Sequence, residues 1–201
     1  MKTIKHAKMD IDKIINLLIS GGILAFPTDT VFGLGCIMDE KAIKRIYEIK
    51  GRSFDKPLPM MCNNLKMIES VAYVSDKAKK IIDAFVPGAI TLIFKKKENV
   101  EDYITQGKDT IGIRVPDDEF ILSLIDKLNM PLMVTSANNS GEDSLLKWKD
   151  VYKLMNGRID AIVCEDATGD VSSTIVDVTG DDIKILREGP ISLKKISEVL
   201  K

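Results

Sequence analysis

Between Lys50 and Lys56 the chain reads KGRSFDK, three cations in seven residues directly ahead of the apolar run PLPMMC. Like charges this close repel unless water or an anion screens them. Lys50, Arg52 and Lys56 therefore read as groups awaiting an anionic ligand. Four strand ends carry polar side chains of matching kind. In ILAFPTDTVFGLG, Thr28, Asp29 and Thr30 follow an apolar run, and Gly33 and Gly35 leave room for close approach. The plainer alternative there is a turn closed by threonine hydroxyls. In PLMVTSANNSGE, Thr135, Ser136, Asn138, Asn139 and Ser140 gather after a strand. They either cap the next helix or present several donors to one ligand at the mouth of an open sheet. In KDTIGIRVPDD the strand period of two puts Arg114 on one face with Gly112, and Ile111 and Ile113 on the other. An arginine placed so suits a planar carboxylate or phosphate, with an internal salt bridge as the alternative. Finally, GDVSSTIVDV brings Ser172 and Ser173 into a strand, and IKILREGP ends at Arg187.

Composition narrows the chemistry. His6 is the lone histidine, which removes Ser-His-Asp and Cys-His catalysis and most zinc sites. Cys36, Cys62 and Cys164 are scattered without CxxC spacing and read as reduced core thiols. No G-x-G-x-x-G follows a strand, and no G-x-x-x-x-G-K-[ST] occurs, so Rossmann and P-loop nucleotide sites are not expected. A formal net charge of −1 gives no global pull toward nucleic acid or anionic membrane, so any anion site must be local. The apolar runs are strand-length, short of the ~20 residues of a membrane span, and MKTIKHAKMD lacks the apolar region of a signal peptide. The expectation is a cytoplasmic protein.

The elements that must position these groups follow from periodicity. At 201 residues and 45% hydrophobic, the chain suffices for one domain over 1–201. DIDKIINLLISGG predicts a helix capped by Asp10 and stopped at Gly21-Gly22, with His6 in a frayed terminus before it. DEKAIKRIYEIKG, Leu65–Val71, Asp76–Phe85 (capped by Ser75), DDEFILSLIDKLN, KWKDVYKLMNG and SLKKISEVL also read as helices. ILAF, LPMMC, PGAITLIFKKK, TIGIRVP, PLMVTS, AIVC, STIVDV and IKILRE read as strands. The last two join across TGDD as an antiparallel hairpin. Alternating strands and helices with hairpins predict an α/β fold with a mixed, twisted open sheet and helices on its faces.

FPTDTVFGLG, KGRSFDKPL, PGAITLIF, TIGIRVPD, TSANNSGE and SSTIVD…ILREGP fall in the order and approximate spacing of the YrdC-like family. From about Gly21 to Pro190 the chain resembles that family's short, single-domain branch. The resemblance implies a twisted sheet with a concave basic cavity. It implies threonylcarbamoyl-AMP synthase activity, a nucleotidyl transfer joining L-threonine, bicarbonate or CO2 and ATP, with pyrophosphate released. The product would serve tRNA N6-threonylcarbamoyladenosine formation, with tRNA or tRNA-modifying proteins as partners. By the same resemblance Lys50, Arg52, Lys56, Thr110, Ser136, Asn138 and Arg187 would handle ATP, with Lys50 and Arg52 as the catalytic cations. Thr30, Arg114 and Ser173 would hold threonine, and Mg²⁺ would arrive with ATP. The chain departs from the longer members in placing Met60 and Met61 where they carry a histidine, and in Phe32 for a tyrosine. Two readings stay open beside it. One is an RNA-binding module, drawing on Lys95, Lys96 and Lys97 but lacking an aromatic stacking stripe. The other is an enzyme acting on a different carbamoylated or adenylated substrate.

Overall fold

A computed structural model describes residues 2–201. The first half contains β1 (Ile4–His6), α1 (Ile11–Ile19), β2 (Leu24–Phe26), β3 (Gly33–Cys36), α2 (Glu40–Lys50), β4 (Met60–Met61), α3 (Leu65–Val71), β5 (Ala72–Tyr73), α4 (Asp76–Phe85) and β6 (Ile90–Lys96). The second contains α5 (Asp102–Thr105), β7 (Thr110–Arg114), α6 (Glu119–Leu128), β8 (Leu132–Ser136), α7 (Trp148–Met155), β9 (Ala161–Val163), β10 (Thr174–Asp177), β11 (Lys184–Arg187) and α8 (Leu193–Val199). The strands form one sheet in the order β1-β9-β2-β3-β8-β4-β7-β6-β10-β11, with β5 paired to the far end of β6. β9 pairs parallel with β1 and β2, as do β4 with β7 and β6 with β10, and the remaining pairs are antiparallel. The mixed sheet and the β10–β11 hairpin agree with the patterning.

Alternation along the strands divides two cores. Ala25, Leu34, Met60, Leu92, Ile113 and Val176 pack with α2, α3, α4, α7 and α8 on one face. Leu24, Phe26, Leu132, Val134, Ala161 and Val163 pack against α1 and α6 on the other. Each fully buried Leu, Ile or Phe contributes roughly 1.5–3 kcal/mol, so this division fixes the register of every strand. The second face is helix-covered only over its β1-side half. On β6, β7 and β10, the residues opposite the first core stay free of helices and form a floor.

Four local features differ from the expectations or add to them. Asp10 does not cap α1 through its side chain: its carboxylate accepts from Ala7 N (3.1 Å) and Lys13 Nζ (2.9 Å), because a short 3₁₀ turn over Lys8–Asp10 precedes the helix. His6 lies in β1 rather than a frayed end, paired in register with Val163. GLGC, to which the patterning assigns no element, is β3, and its glycines make room for the Phe26 ring. A Cβ on Gly33 or Gly35 would meet that ring at 3.1 or 3.0 Å. The Ser-Ala-Asn corner leads into an irregular segment, and the next helix begins only at Trp148.

Candidate functional site

The uncovered floor bounds a cavity of about 410 Å³. Thr91 and Ile93 of β6, Thr110, Gly112 and Arg114 of β7, and Ile175 and Asp177 of β10 form its base. Leu186 and Arg187 of β11, Thr28 and the stretch from Thr30 to Gly33, Thr135 and Ser136 of β8, Met61, Lys108 and the loop carrying Arg52 and Pro57 form its walls. Four cations, Arg52, Lys108, Arg114 and Arg187, thus face one lining carboxylate, Asp177.

The threonine-rich turn is both a closed turn and a wall of the site. Thr28 Oγ1 donates to Val31 O (2.7 Å) and accepts from Thr30 N (3.0 Å). That closure aims Thr30 Oγ1 and Asp29 at Arg114, whose Nη1 donates to Thr30 Oγ1 (2.6 Å) and Nη2 to Asp29 Oδ1 (2.7 Å). Arg114 Nε donates to Gly88 O (3.1 Å). The internal salt bridge is therefore real, between side chains 6% and 13% exposed. It uses three of five guanidinium N–H donors and leaves two for a ligand. Burial holds the Arg114 guanidinium below the usual arginine range, and Asp29 offsets part of that.

At the opposite wall Arg187 clamps the start of β10: its Nε and Nη2 donate to Ser173 O (3.0 and 2.8 Å), and Nη2 also to Ser173 Oγ (3.2 Å). Ser173 Oγ lies 2.8 Å from Thr91 Oγ1, so Arg187, Ser173 and Thr91 form one polar edge. Partial burial, then the charges of Arg114 and Arg52, lower the Arg187 pKa. Three arginines from separate elements thus repel one another across one hollow. Arg52 is braced toward it by Nε to Lys56 O (2.9 Å) and Nη2 to Pro57 O (3.2 Å). Tyr47 holds the same loop through its hydroxyl to Lys56 O (3.1 Å) and by stacking on Phe54.

Thr30, Arg52, Thr110, Arg114, Ser136, Ser173 and Arg187 are therefore brought together. Lys50, Lys56 and Asn138 stand outside the lining. Lys50 is not a free cation: it is 3% exposed, and its ammonium donates to Ser136 O, to Asn138 O (2.5 Å) and to Asn138 Oδ1 (3.3 Å). Burial, then the nearby Arg52, pulls its pKa down to about 8. Asn138 spends its amide on Asn139 O (3.0 Å) and Glu142 O (2.7 Å). The pair shapes the corner that presents Ser136. Lys56 is exposed, and its backbone carbonyl rather than its ammonium serves the loop. Of the two methionines, Met61 reaches the cavity while Met60 is buried in the opposite core. Thr91, Lys108 and Asp177 line the site without having been singled out in the sequence. Thr91 and Asp177 share the alternation that exposes Ile93 and Ile175, but nothing distinguishes them from ordinary strand polar residues. Among the described residues, no three His, Cys, Asp or Glu side chains gather to hold a metal, and no helix is long and apolar enough to cross a membrane.

The Sua5/YciO/YrdC family model, described as telomere recombination, matches residues 16–189. A Methanocaldococcus jannaschii relative is 38% identical over 187 residues, spanning 90% of this chain and 86% of its own. A Bacillus subtilis protein named threonylcarbamoyl-AMP synthase is 37% identical over 188 residues, covering 92% of this chain and 54% of that protein. The crystal structure of Pyrococcus abyssi Sua5 complexed with L-threonine is similar at a TM-score of 0.91 and 33% identity, over 98% of this chain and 60% of that one. The chain thus spans somewhat over half the length of the latter two.

Proposed function

Because the chain belongs to the Sua5/YciO/YrdC family, we propose that it is a threonylcarbamoyl-AMP synthase acting in tRNA N6-threonylcarbamoyladenosine formation. The observation that carries this reading is the convergence of Arg52, Arg114 and Arg187 on one cavity, in a fold shared with a threonine-bound relative. In this reading the threonine carboxylate takes the two free N–H donors of Arg114, with Thr30 and Ser173 beside it. The threonine amine adds to CO2 with loss of a proton, or to bicarbonate with loss of water, and an oxygen of the resulting carbamate attacks the α-phosphorus of ATP, displacing pyrophosphate. This makes the enzyme a nucleotidyltransferase.

Splitting the α–β bond loads charge onto the leaving pyrophosphate. Fixed cations that hold that charge more tightly as it develops lower the barrier. Arg52 and Arg187 are placed for this, with Lys56 able to swing in from the rim. Lys50 is assigned a different part from a direct phosphate grip: with Asn138 it fixes the corner that offers Ser136 to the nucleotide, and it adds positive potential behind Arg52. Thr110 faces the same floor. Mg²⁺ would enter as the counter-ion of the triphosphate, neutralising its charge, since no carboxylate cage is found among the described residues.

The test is pyrophosphate release from ATP with threonine and bicarbonate, each omitted in turn. All three are expected to be required, with serine a poorer substrate for lack of the methyl group. ATP cleavage indifferent to both omissions would sink the synthase assignment. Salt-sensitive RNA binding without ATP turnover would favour a binding module instead.

A further inference from the structure

One lining group runs against the charge of the cavity. Asp177 is the carboxylate among four lining cations, where a second negative group would repel a polyphosphate. Its Oδ1 accepts from Thr179 N (2.9 Å) and Thr179 Oγ1 (2.7 Å), which fixes the side chain at the end of β10. Among the described residues, the hydrogen bonds of this carboxylate are all at Oδ1, and Oδ2 has none.

The sheet register places it. Ile175 lies opposite Thr91 of β6 and Arg187 of β11, in the row of the arginine cluster. Asp177 lies opposite Ile93, which itself faces Gly112. Two residues along a strand advance about 7 Å, so Asp177 stands that far from the arginine row, in the direction of Thr110. Gly112 and Ile93 stand beside Asp177 in the same row, so the floor next to it is apolar. A nucleotide whose phosphates sit among the arginines therefore extends its uncharged half toward Asp177, where a carboxylate attracts hydrogen-bond donors and repels nothing.

We propose that Asp177 reads the nucleoside half of the bound nucleotide, Oδ2 accepting a hydrogen bond from the ribose 2′-hydroxyl or from the exocyclic amine of the base. This rests on the ATP reading above and adds to it a discriminating contact. A carboxylate here orients the nucleotide, because the reversed pose would bring phosphate against it.

The experiment is calorimetric binding, without turnover, to the native protein and to Asp177→Asn. Asparagine keeps an Oδ1 acceptor for Thr179. The ligands are ATP, 2′-deoxy-ATP, purine riboside triphosphate (which lacks the amine) and inorganic tripolyphosphate. Loss of one negative charge should leave tripolyphosphate bound as tightly or more tightly, while ATP weakens by about tenfold, the worth of one hydrogen bond to a charged acceptor. Whichever analogue lacks the donor should already bind the native protein about tenfold more weakly and be insensitive to the substitution. A parallel change for ATP and tripolyphosphate, an unweakened ATP affinity in Asp177→Asn, or full native affinity for both analogues would each overturn the assignment. Failure of the native protein to bind ATP would remove the synthase reading and this contact together.

Discussion

At the scale of single residues, Lys50 shows how burial can redirect a charge that the sequence presents as free. KGRSFDK suggests three cations competing for an anion, but the last turn of α2 carries Lys50 inward, where backbone oxygens replace water. The prediction concerns both size and sign. Lys50→Met strands Ser136 O, Asn138 O and Asn138 Oδ1, so at pH 7 it should lower stability by about 1–3 kcal/mol. The folded pKa of about 8 lies below the ordinary 10.5. Between those values the unfolded chain holds more protons, so the native protein gains stability as pH rises from 8 to 10.5 and loses that gain as pH falls back through 8. The shift corresponds to about 3 kcal/mol at full span. Urea midpoints of the two proteins from pH 7 to 10.5 should therefore diverge, the native one gaining relative to Lys50→Met. Parallel curves would mean that Lys50 keeps an ordinary pKa.

At the scale of elements, periodicity predicted the helices and most strands because their apolar faces must match one of two cores. Ile111 and Ile113 turning inward forces Thr110, Gly112 and Arg114 onto the floor, and that much was readable in TIGIR. The short elements were not readable. β5 and α5 span two and four residues, too few to show a period, and β1 was hidden among charges because it is held by pairing with β9. Nor does a pattern in GLGC reveal that its glycines accommodate Phe26. Site composition followed the same divide: Arg114 was legible from strand alternation and Ser173 from its place at the entry to a strand, whereas the Asp29–Arg114 pair depends on contact across 85 positions. Two glycines test the element geometry in opposite senses. A Cβ on Gly112 meets Ile93 Cδ1 at 3.1 Å, the mobile end of a side chain, so Gly112→Ala should cost under about 1 kcal/mol while obstructing ligand on the floor. A Cβ on Gly189 meets Thr174 N at 2.5 Å and Ser172 O at 2.6 Å, both backbone. Gly189→Ala should therefore cost roughly 1–3 kcal/mol and disturb the Arg187–Ser173 clamp. Thermal midpoints together with ATP affinity separate the two; equal losses of stability would refute the packing difference.

At the scale of the molecule, the cavity joins groups that no local segment could assemble. Arg52 comes from the loop after α2, Arg114 from β7 and Arg187 from β11, and folding brings their charges together without three matching acids. Asp29 answers Arg114 alone. The near-neutral total of −1 hides this local excess. The folded state therefore carries unrelieved repulsion that a polyanion removes, and ligand binding should appear as stability. A polyphosphate at 100 times its Kd adds about 2.7 kcal/mol, or roughly 5–10 °C in Tm for a chain of this size. Because the cavity opens to solvent at Arg187 and Lys108, mobile ions compete for it. The screening length shrinks from about 10 Å at 0.1 M salt to about 3 Å at 1 M. Tripolyphosphate at a fixed concentration should then raise Tm clearly in low salt and little in 1 M chloride, and Arg187→Ala should flatten that dependence. A rise in Tm unaffected by salt, or unchanged in Arg187→Ala, would mean that the anion binds somewhere other than among these arginines.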